Sequence, residues 1–334
     1  MLNKKIVLNI LGVTQTKDNT IVHDTSSTET NFGKLLEPGL RKIFFETYKE
    51  KPEQFSKIFH MNTSKKAMET DYGMGAFGDW TKRETSLDNV AYQKFSAGKE
   101  RTYKHEAFTS GFQVERELVD DEQYRVLKKM PAALARSCRA SIEKNAIKIL
   151  SGAFTGTGYD GVPMCADNHP LLDSADTCSN LIVGELNRDN LKQALLLMRQ
   201  QKDEAGNLIQ MKADTLIIPP ELEDTAIRLL HTAKLPGGND NDTNEYIASH
   251  GLKIVVMDYL SGEVGGETMW FVQDSSQHEM NFFWRIKPEF KWAEEFDNFV
   301  AKYRGYCRYS FGYSDFRGII GSTGVNAKTR TTTK

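Results

Sequence analysis

Phe299-Val300-Ala301-Lys302-Tyr303-Arg304-Gly305-Tyr306-Cys307-Arg308-Tyr309-Ser310-Phe311-Gly312-Tyr313 is the stretch that decides the fold. Taken at every second position it gives Phe299, Ala301, Tyr303, Gly305, Cys307, Tyr309, Phe311 and Tyr313 on one face of a strand. Val300, Lys302, Arg304, Tyr306, Arg308, Ser310 and Gly312 fall on the other. At about 3.3 Å per residue such a strand reaches roughly 45–50 Å, whereas strands usually hold about five or six residues. It outruns the core of a compact domain. It suits an extended building block that continues into its neighbours.

The 334 residues allow one large domain or two to three lobes. With 39% hydrophobic and 26% charged residues a true core can form. A net charge of −2 supplies no global drive toward nucleic acid or membrane. Cys138, Cys165, Cys178 and Cys307 are scattered and read as reduced, intracellular thiols. No apolar run reaches the roughly 18–20 residues of a membrane span. The apolar start Met1 to Val13, with Lys4 and Lys5, lacks a small-residue cleavage site after it.

Residues 14–32 form a polar arm, followed by a helix over Pro38 to Lys49 and a short amphipathic piece at Phe55 to Phe59. From Lys65 to about Gly111 charges are frequent and apolar residues isolated (Met68, Tyr72, Trp80, Val90, Tyr92, Phe95). This predicts a two-stranded excursion without a core of its own, which must lean on something else. Asp120 and Gln123 resemble a capping box opening a short helix through Lys129, and Pro131 then starts a long helix to Ser151. Its apolar stripe is Leu134, Cys138, Ile142, Ala146 and Ile149, and the other faces carry Arg136, Arg139, Lys144 and Lys148. The centre reads as an α/β lobe. A helix capped by Asn187 carries Leu191, Ala194, Leu195 and Met198. Strands follow at Thr215–Ile218, Leu252–Met257, Thr268–Gln273 and Met280–Ile286, with a helix from Glu221 to Thr232. The tail from Gly321 is small, polar and basic.

Chemistry-bearing patterns fail one by one. Gly156 to Gly161 matches G-x-G-x-x-G as a string, but a helix precedes it and Val162-Pro163 follows, the reverse of the dinucleotide context. Cys165, His169 and Cys178 match no zinc spacing, and as a Cys–His pair they lack an orienting third group. Asp240, Asp242 and Asn244 imitate half a calcium loop, yet Glu245 and Gly251 stand where Gly and Glu are needed. No phosphate loop or nucleophile elbow occurs. The sequence therefore predicts no catalytic residues, no metal ligands and no cofactor. A chain with an overlong strand and a coreless excursion reaches low free energy in an assembly, so self-association is the reading from the residues alone.

Particular stretches carry a resemblance: Glu37-Pro38-Gly39-Leu40-Arg41 with Glu46-Thr47-Tyr48, Phe55 to Phe59, Tyr159-Asp160-Gly161-Val162-Pro163 leading to His169-Pro170, Ala213 to Pro220, and Phe299 to Gly318. In their order and spacing the chain resembles tailed-phage major capsid proteins of the Hong Kong 97 type, and is similar to the Mu-like major head subunits. The resemblance spans nearly the whole chain.

It implies an α+β capsid fold. Residues 1–60 would be an N-terminal arm and 61–118 an extended E-loop hairpin with its strands. Residues 119–186 would be the peripheral domain with a long spine helix, 187–285 a compact axial α/β domain, 286–320 the return to the peripheral domain, and 321–334 a flexible tail. It further implies pentamers and hexamers of one chain forming an icosahedral shell around phage DNA, located in the virion and made in the bacterial host cytoplasm. Scaffolding, portal and decoration proteins are the expected partners besides the chain itself, with non-specific contact to double-stranded DNA and none to membrane. Expected intersubunit residues are Trp80, Tyr92 and Phe95 in the E-loop and Leu40, Phe44 and Phe55 in the arm; packing within the chain is the alternative for each. Arg136, Arg139, Lys144 and Lys148 are the expected genome-facing set, with plain solvation as the alternative. An encapsulin-like cargo shell shares the architecture, and an α/β enzyme is the remaining rival.

Overall fold

The computed structural model describes residues 32–74, 77, 80, 82, 84, 92, 97–121, 124–172, 175–231, 247, 249–295 and 300–324. The polar arm before residue 32, Gln123, Phe95, the Asp240–Asn244 loop and the last ten residues lie outside them. The strands are β1 (His60–Thr63), β2 (Met68–Met74), β3 (Ala97–Lys104), β4 (Glu106–Glu115), β5 (His169–Pro170), β6 (Thr177–Cys178), β7 (Leu181–Ile182), β8 (Thr215–Ile218), β9 (Lys253–Val256), β10 (Trp270–Gln273), β11 (Met280–Glu295), β12 (Val300–Tyr313) and β13 (Ile319–Ser322). The chain divides into two compact units. One holds residues up to Pro52, His105–Ile142 and Trp284–Tyr309; the other holds Glu53–Lys104, Glu143–Phe283 and Ser310 onward.

In the first unit β12 is the long strand the sequence predicts, paired antiparallel with β4 from Val300↔Glu115 to Tyr309↔Glu106. Ala301, Tyr303, Cys307 and Tyr309 are buried and Arg304 is exposed, so the alternation holds over this part. Tyr303 stacks on Phe112 at 5.2 Å and on Phe290 at 5.8 Å. The helix Phe32–Glu50 buries Leu36, Leu40, Phe44 and Tyr48, one side chain per turn, and Phe44 meets Phe290 at 5.2 Å. This helix begins six residues before Pro38, where the sequence predicts its start. Pro38 lies on the exposed face, and the buried stripe on the opposite face carries the helix past it.

The long helix also differs from expectation. It runs unbroken from Tyr124 to Ser151 with Pro131 inside it, so Pro131 does not open it. Leu127 and Leu134, about one turn to either side of the proline, are both buried, and that burial outweighs one missing backbone hydrogen bond. The buried stripe is wider than predicted, because Arg139 and Glu143 belong to it.

In the second unit a five-stranded sheet has the order β7-β13-β10-β8-β9. β8 and β9 run parallel, as do β13 and β7, while β10 is antiparallel to both its neighbours. One face presents Leu216, Ile218, Trp270, Val272 and Ile320 to Leu191, Ala194, Leu195 and Met198 of the helix Arg188–Arg199. Asn187 caps that helix as predicted, its Oδ1 accepting from the Asn190 amide at 2.8 Å. The other face places Phe271 5.6 Å from Phe154. Gly321 and Ser322, read from sequence as the start of a mobile tail, are buried members of β13. A Cβ at Gly321 would lie 2.6 Å from Cys165 Sγ and 2.9 Å from Phe271 Cδ1, so its smallness serves close packing.

Candidate assembly surface

The excursion predicted without a core is a hairpin of β2 and β3, with Met68↔Lys104, Thr70↔Thr102, Asp71↔Arg101 and Tyr72↔Glu100 as cross-strand neighbours. Polar pairs line it and little apolar area meets across it, so pairing alone gives marginal stability. Register shifts between Tyr72 and Met74. There the backbones of Gly73 and Gly98 come so close that a Cβ at Gly98 would lie 2.5 Å from the Gly73 carbonyl oxygen.

The base of the hairpin is anchored inside its own unit. Tyr103 is buried, packs 5.0 Å from Phe283 and covers Gly312, where a Cβ would sit 2.7 Å from its ring. Its hydroxyl donates to Ser314 Oγ at 2.5 Å, and Ser314 in turn donates to Asp71 Oδ2 on the other strand. Burial pushes the Tyr103 phenol above its ordinary range, so it stays a donor. Lys99 Nζ donates to the Asp160 carbonyl at 3.0 Å. Beyond this clamp the apolar side chains face water: Tyr72 is 62% exposed, Trp80 96% and Tyr92 92%, with Met68 and Phe77 exposed too. Large exposed aromatics on a segment with no core of its own form a surface that gains from being covered.

Of the expected contact residues, Trp80 and Tyr92 therefore stand on open surface. Leu40, Phe44 and Phe55 do not. Phe44 and Phe55 are fully buried and Leu40 nearly so, which leaves them no area for a second subunit. Phe55 sits 4.8 Å from Phe282, and the Gln54 and Phe55 amides donate to the Glu143 carboxylate at 2.8 and 3.0 Å. In the basic set Arg136, Lys144 and Lys148 are exposed, with Lys148 donating to Asn145 Oδ1. Arg139 is buried: its guanidinium lies 4.0 Å above the Tyr48 ring and Nη2 donates to the Tyr48 carbonyl at 3.0 Å. It joins two helices and is removed from any genome-facing set. The Tyr103–Ser314–Asp71 relay and Glu143 escape sequence reading because their partners lie about 90 to 240 positions away.

The residues flagged for chemistry have separate structural roles. His169 is fully buried, with Nδ1 2.5 Å from Asp160 Oδ2, Nε2 3.0 Å from Asn180 Oδ1, and its ring stacked on Phe316. Asn180 Nδ2 donates to the carbonyls of Met164, Phe316 and Ile319, pinning β13 against the loop. Burial pushes the Cys165 thiol up, while Cys178 donates to Gln201 Oε1 at 3.3 Å. Gly158 forms a tight turn, its amide donating to the Val162 carbonyl at 2.7 Å. Among the described residues no group of three or more His, Cys, Asp or Glu gathers in a metal-holding arrangement. No helix among them is long and apolar enough to cross a membrane.

Comparison with known proteins bears on the family and the fold. The profile of a family described as phage capsid protein matches residues 99–322. No curated protein sequence matches the chain. Among solved structures, the virus-like particle from Pyrococcus furiosus is similar over 85% of this chain and 98% of its own, at 12% identity and a TM-score of 0.51. The capsid of the cyanophage P-SCSP1u covers 83% and 89% at 14% identity and a TM-score of 0.50. The mature capsid of bacteriophage PhiM1 covers 79% and 84% at 10% identity and a TM-score of 0.50. At these identities the likeness concerns the fold.

Proposed function

Because the chain belongs to the phage capsid protein family, we propose that it is the major shell subunit of a tailed-phage head, assembling into five- and six-membered rings that close around double-stranded DNA. The observation that carries this reading is the hairpin of β2 and β3, clamped at its base by Tyr103, Ser314 and Asp71 while Tyr72, Trp80 and Tyr92 face solvent. A surface built that way is rigid where it leaves the chain and apolar where it meets a neighbour. Repetition supplies the rest: many copies of a modest interface, each near the common ~1,600 Å², sum to a durable shell.

In this reading residues 61–118 are the E-loop lying over an adjacent subunit, and the helix Tyr124–Ser151 is the spine of the peripheral domain. The lobe over 187–285 is the axial domain, and 1–60 is the arm. The stretches that resemble Mu-like head subunits support placing the chain in that branch. Arg136, Lys144 and Lys148 supply exposed positive charge on one helix and are proposed to meet packaged DNA through phosphates alone. Replacing all three by Gln should lower the dependence of packaged-genome retention on salt. An unchanged salt response removes DNA contact from the proposal.

Electron microscopy of the purified chain, with light scattering on the same sample, tests the shell reading. Closed shells, tubes or rings of five and six are the expected products. A monomer or dimer that persists at high concentration with a scaffolding protein added overturns it. Nucleic acid inside native particles separates a phage head from an encapsulin-like shell, which would instead hold a protein cargo.

A further inference from the structure

We propose that Cys138 and Cys307 form an oxidisable pair that closes an intrachain disulfide between the long helix and β12. Both belong to the first unit. The packing of that helix on β12 includes Gly305, where a Cβ would lie 3.7 Å from Leu134 Cδ2, an ordinary contact distance. One helical step from Leu134 to Cys138 advances about 6 Å, and two strand residues from Gly305 to Cys307 advance about 6.6 Å. Helix and strand thus stay in step, and the next pair facing across the contact is the two cysteines. Ile142 and Tyr309 lie one step further along helix and strand, and all six residues line one cavity. Cys138 and Cys307 thus face the same small cavity from helix and strand, the placement from which a disulfide can close.

The two thiols are not equivalent. Cys307 is buried and Cys138 half-exposed. The hydrogen bond from Cys307 holds the Cys138 thiol below its ordinary range against the opposing effect of burial, and Arg139 adds to the lowering. The same bond raises Cys307, which keeps its proton. Cys138 is therefore the nucleophile and Cys307 the resolving thiol. The cavity holds about 140 Å³, room for a small hydroperoxide beside a water that occupies ~30 Å³ in the liquid, and Ser137, Ser141, Thr109 and Ser110 place hydroxyls on its largely apolar wall.

With hydrogen peroxide as oxidant, the Cys138 thiolate attacks one peroxide oxygen. The O–O bond breaks, hydroxide leaves and is protonated to water, and Cys138 becomes a sulfenic acid. The Cys307 sulfur then attacks the Cys138 sulfur, and the S–O bond breaks. The departing hydroxide takes the Cys307 proton, giving a second water. Two thiols are oxidised by one peroxide. Cys165 and Cys178 stay reduced, both being buried and Cys178 being bonded to Gln201. If the chain forms a shell, the bond would staple each subunit after the particle leaves a reducing cell.

The test is peptide mapping of the full chain under non-reducing conditions after brief peroxide treatment, with an equal mixture of isotopically light and heavy chains. The expected product links the Cys138 peptide to the Cys307 peptide within one chain, with loss of two hydrogens. C307S, or C307A should the serine not fold, should stop at a sulfenic acid on Cys138 that a dione reagent traps. C138S should take up no oxidant at residue 307. Mixed light–heavy linked peptides, or a wild-type chain in which Cys138 goes to sulfinic acid unlinked, overturn the proposal. None of these readouts depends on shell formation, so the failure of either reading is recognised separately.

Discussion

The hairpin of β2 and β3 and the five-stranded sheet belong to the same unit and are built on opposite principles. In the sheet every residue of β8, β10 and β13 is buried. In the hairpin only Tyr103 is buried among the side chains described, and its partners lie outside the hairpin. The sheet obtains its stability from its own core, close to 1.5–3 kcal/mol for each fully buried large apolar side chain. The hairpin borrows its stability through one tyrosine, one serine and one aspartate. The contrast teaches where this chain carries its own core and where an element depends on contacts outside itself.

The largest blow to the comparison should come from Trp270→Ala. The indole is fully buried and its Nε1 donates to the Gly184 carbonyl at 3.1 Å. Its loss should cost about 3–5 kcal/mol in denaturant unfolding. A cost below about 1 kcal/mol would mean the sheet is not an autonomous core.

Acid comes next. His278 is buried, its Nδ1 accepts from the Met280 amide at 3.1 Å, and its ring stacks on His60 at 4.0 Å. Burial first, and then His60, hold its pKa down to about 4 against the opposing carboxylates of Asp274 and Asp214. The folded state binds fewer protons here than the unfolded chain. The contribution is whole above pH ~6.5 and is lost as pH falls from there toward 4, a matter of roughly 2–3 kcal/mol. Urea titrations at stepped pH should show that slope, and H278Q should flatten it.

A smaller change should isolate the hairpin. Tyr103→Phe keeps the ring and removes the hydroxyl from Ser314, costing about 1 kcal/mol. Hydrogen exchange should quicken in residues 68–74 and 97–104 while β8 and β10 keep their protection. Uniform loss of protection would show that the hairpin is an integral part of the core.

The smallest effect on the subunit is predicted for Tyr72→Ala and Trp80→Ala, within about 0.5 kcal/mol, since both side chains face solvent. The same substitutions should raise the concentration needed for assembly roughly tenfold, the worth of about 1.4 kcal/mol at an aromatic contact. Unchanged assembly would move the interface elsewhere.

Much of this was legible in the sequence because it is local. The alternation of 299–313, the Asn187 cap and the apolar run Thr215–Ile218 each carry their signal within a few residues, and the structure has β12, the capped helix and β8 there. The capsid fold itself was readable from the order of such stretches. What escaped depends on distant partners. Pro38 and Pro131 read as helix boundaries, yet buried stripes carry both helices through them. The sequence reads a strand over Met280–Ile286, but β11 runs on past Pro288 to Glu295. Its neighbour β1 has four residues against its sixteen, so most of β11 is flanked on one side by no part of β1 and tolerates a proline there. Arg139 belongs to a charge set for which plain solvation is the alternative in sequence, and the Tyr48 carbonyl that it bonds lies 91 positions away. The candidate surface was half legible: aromatics in a coreless segment stand out, whereas the clamp that aims them does not.

The place of β13 has a consequence in time. It lies between β7 and β10, with Gly321 opposite Leu181, a partner made 140 residues earlier. At ~5–20 residues per second the ribosome takes on the order of ten seconds to cover that interval. Throughout it β7 lacks its partner, and once β10 is made its edge waits unpaired while the place of Ile320 in the core stands open. A nascent chain on a crowded polysome is then held in an unfinished form, and closing the sheet dates the subunit as ready.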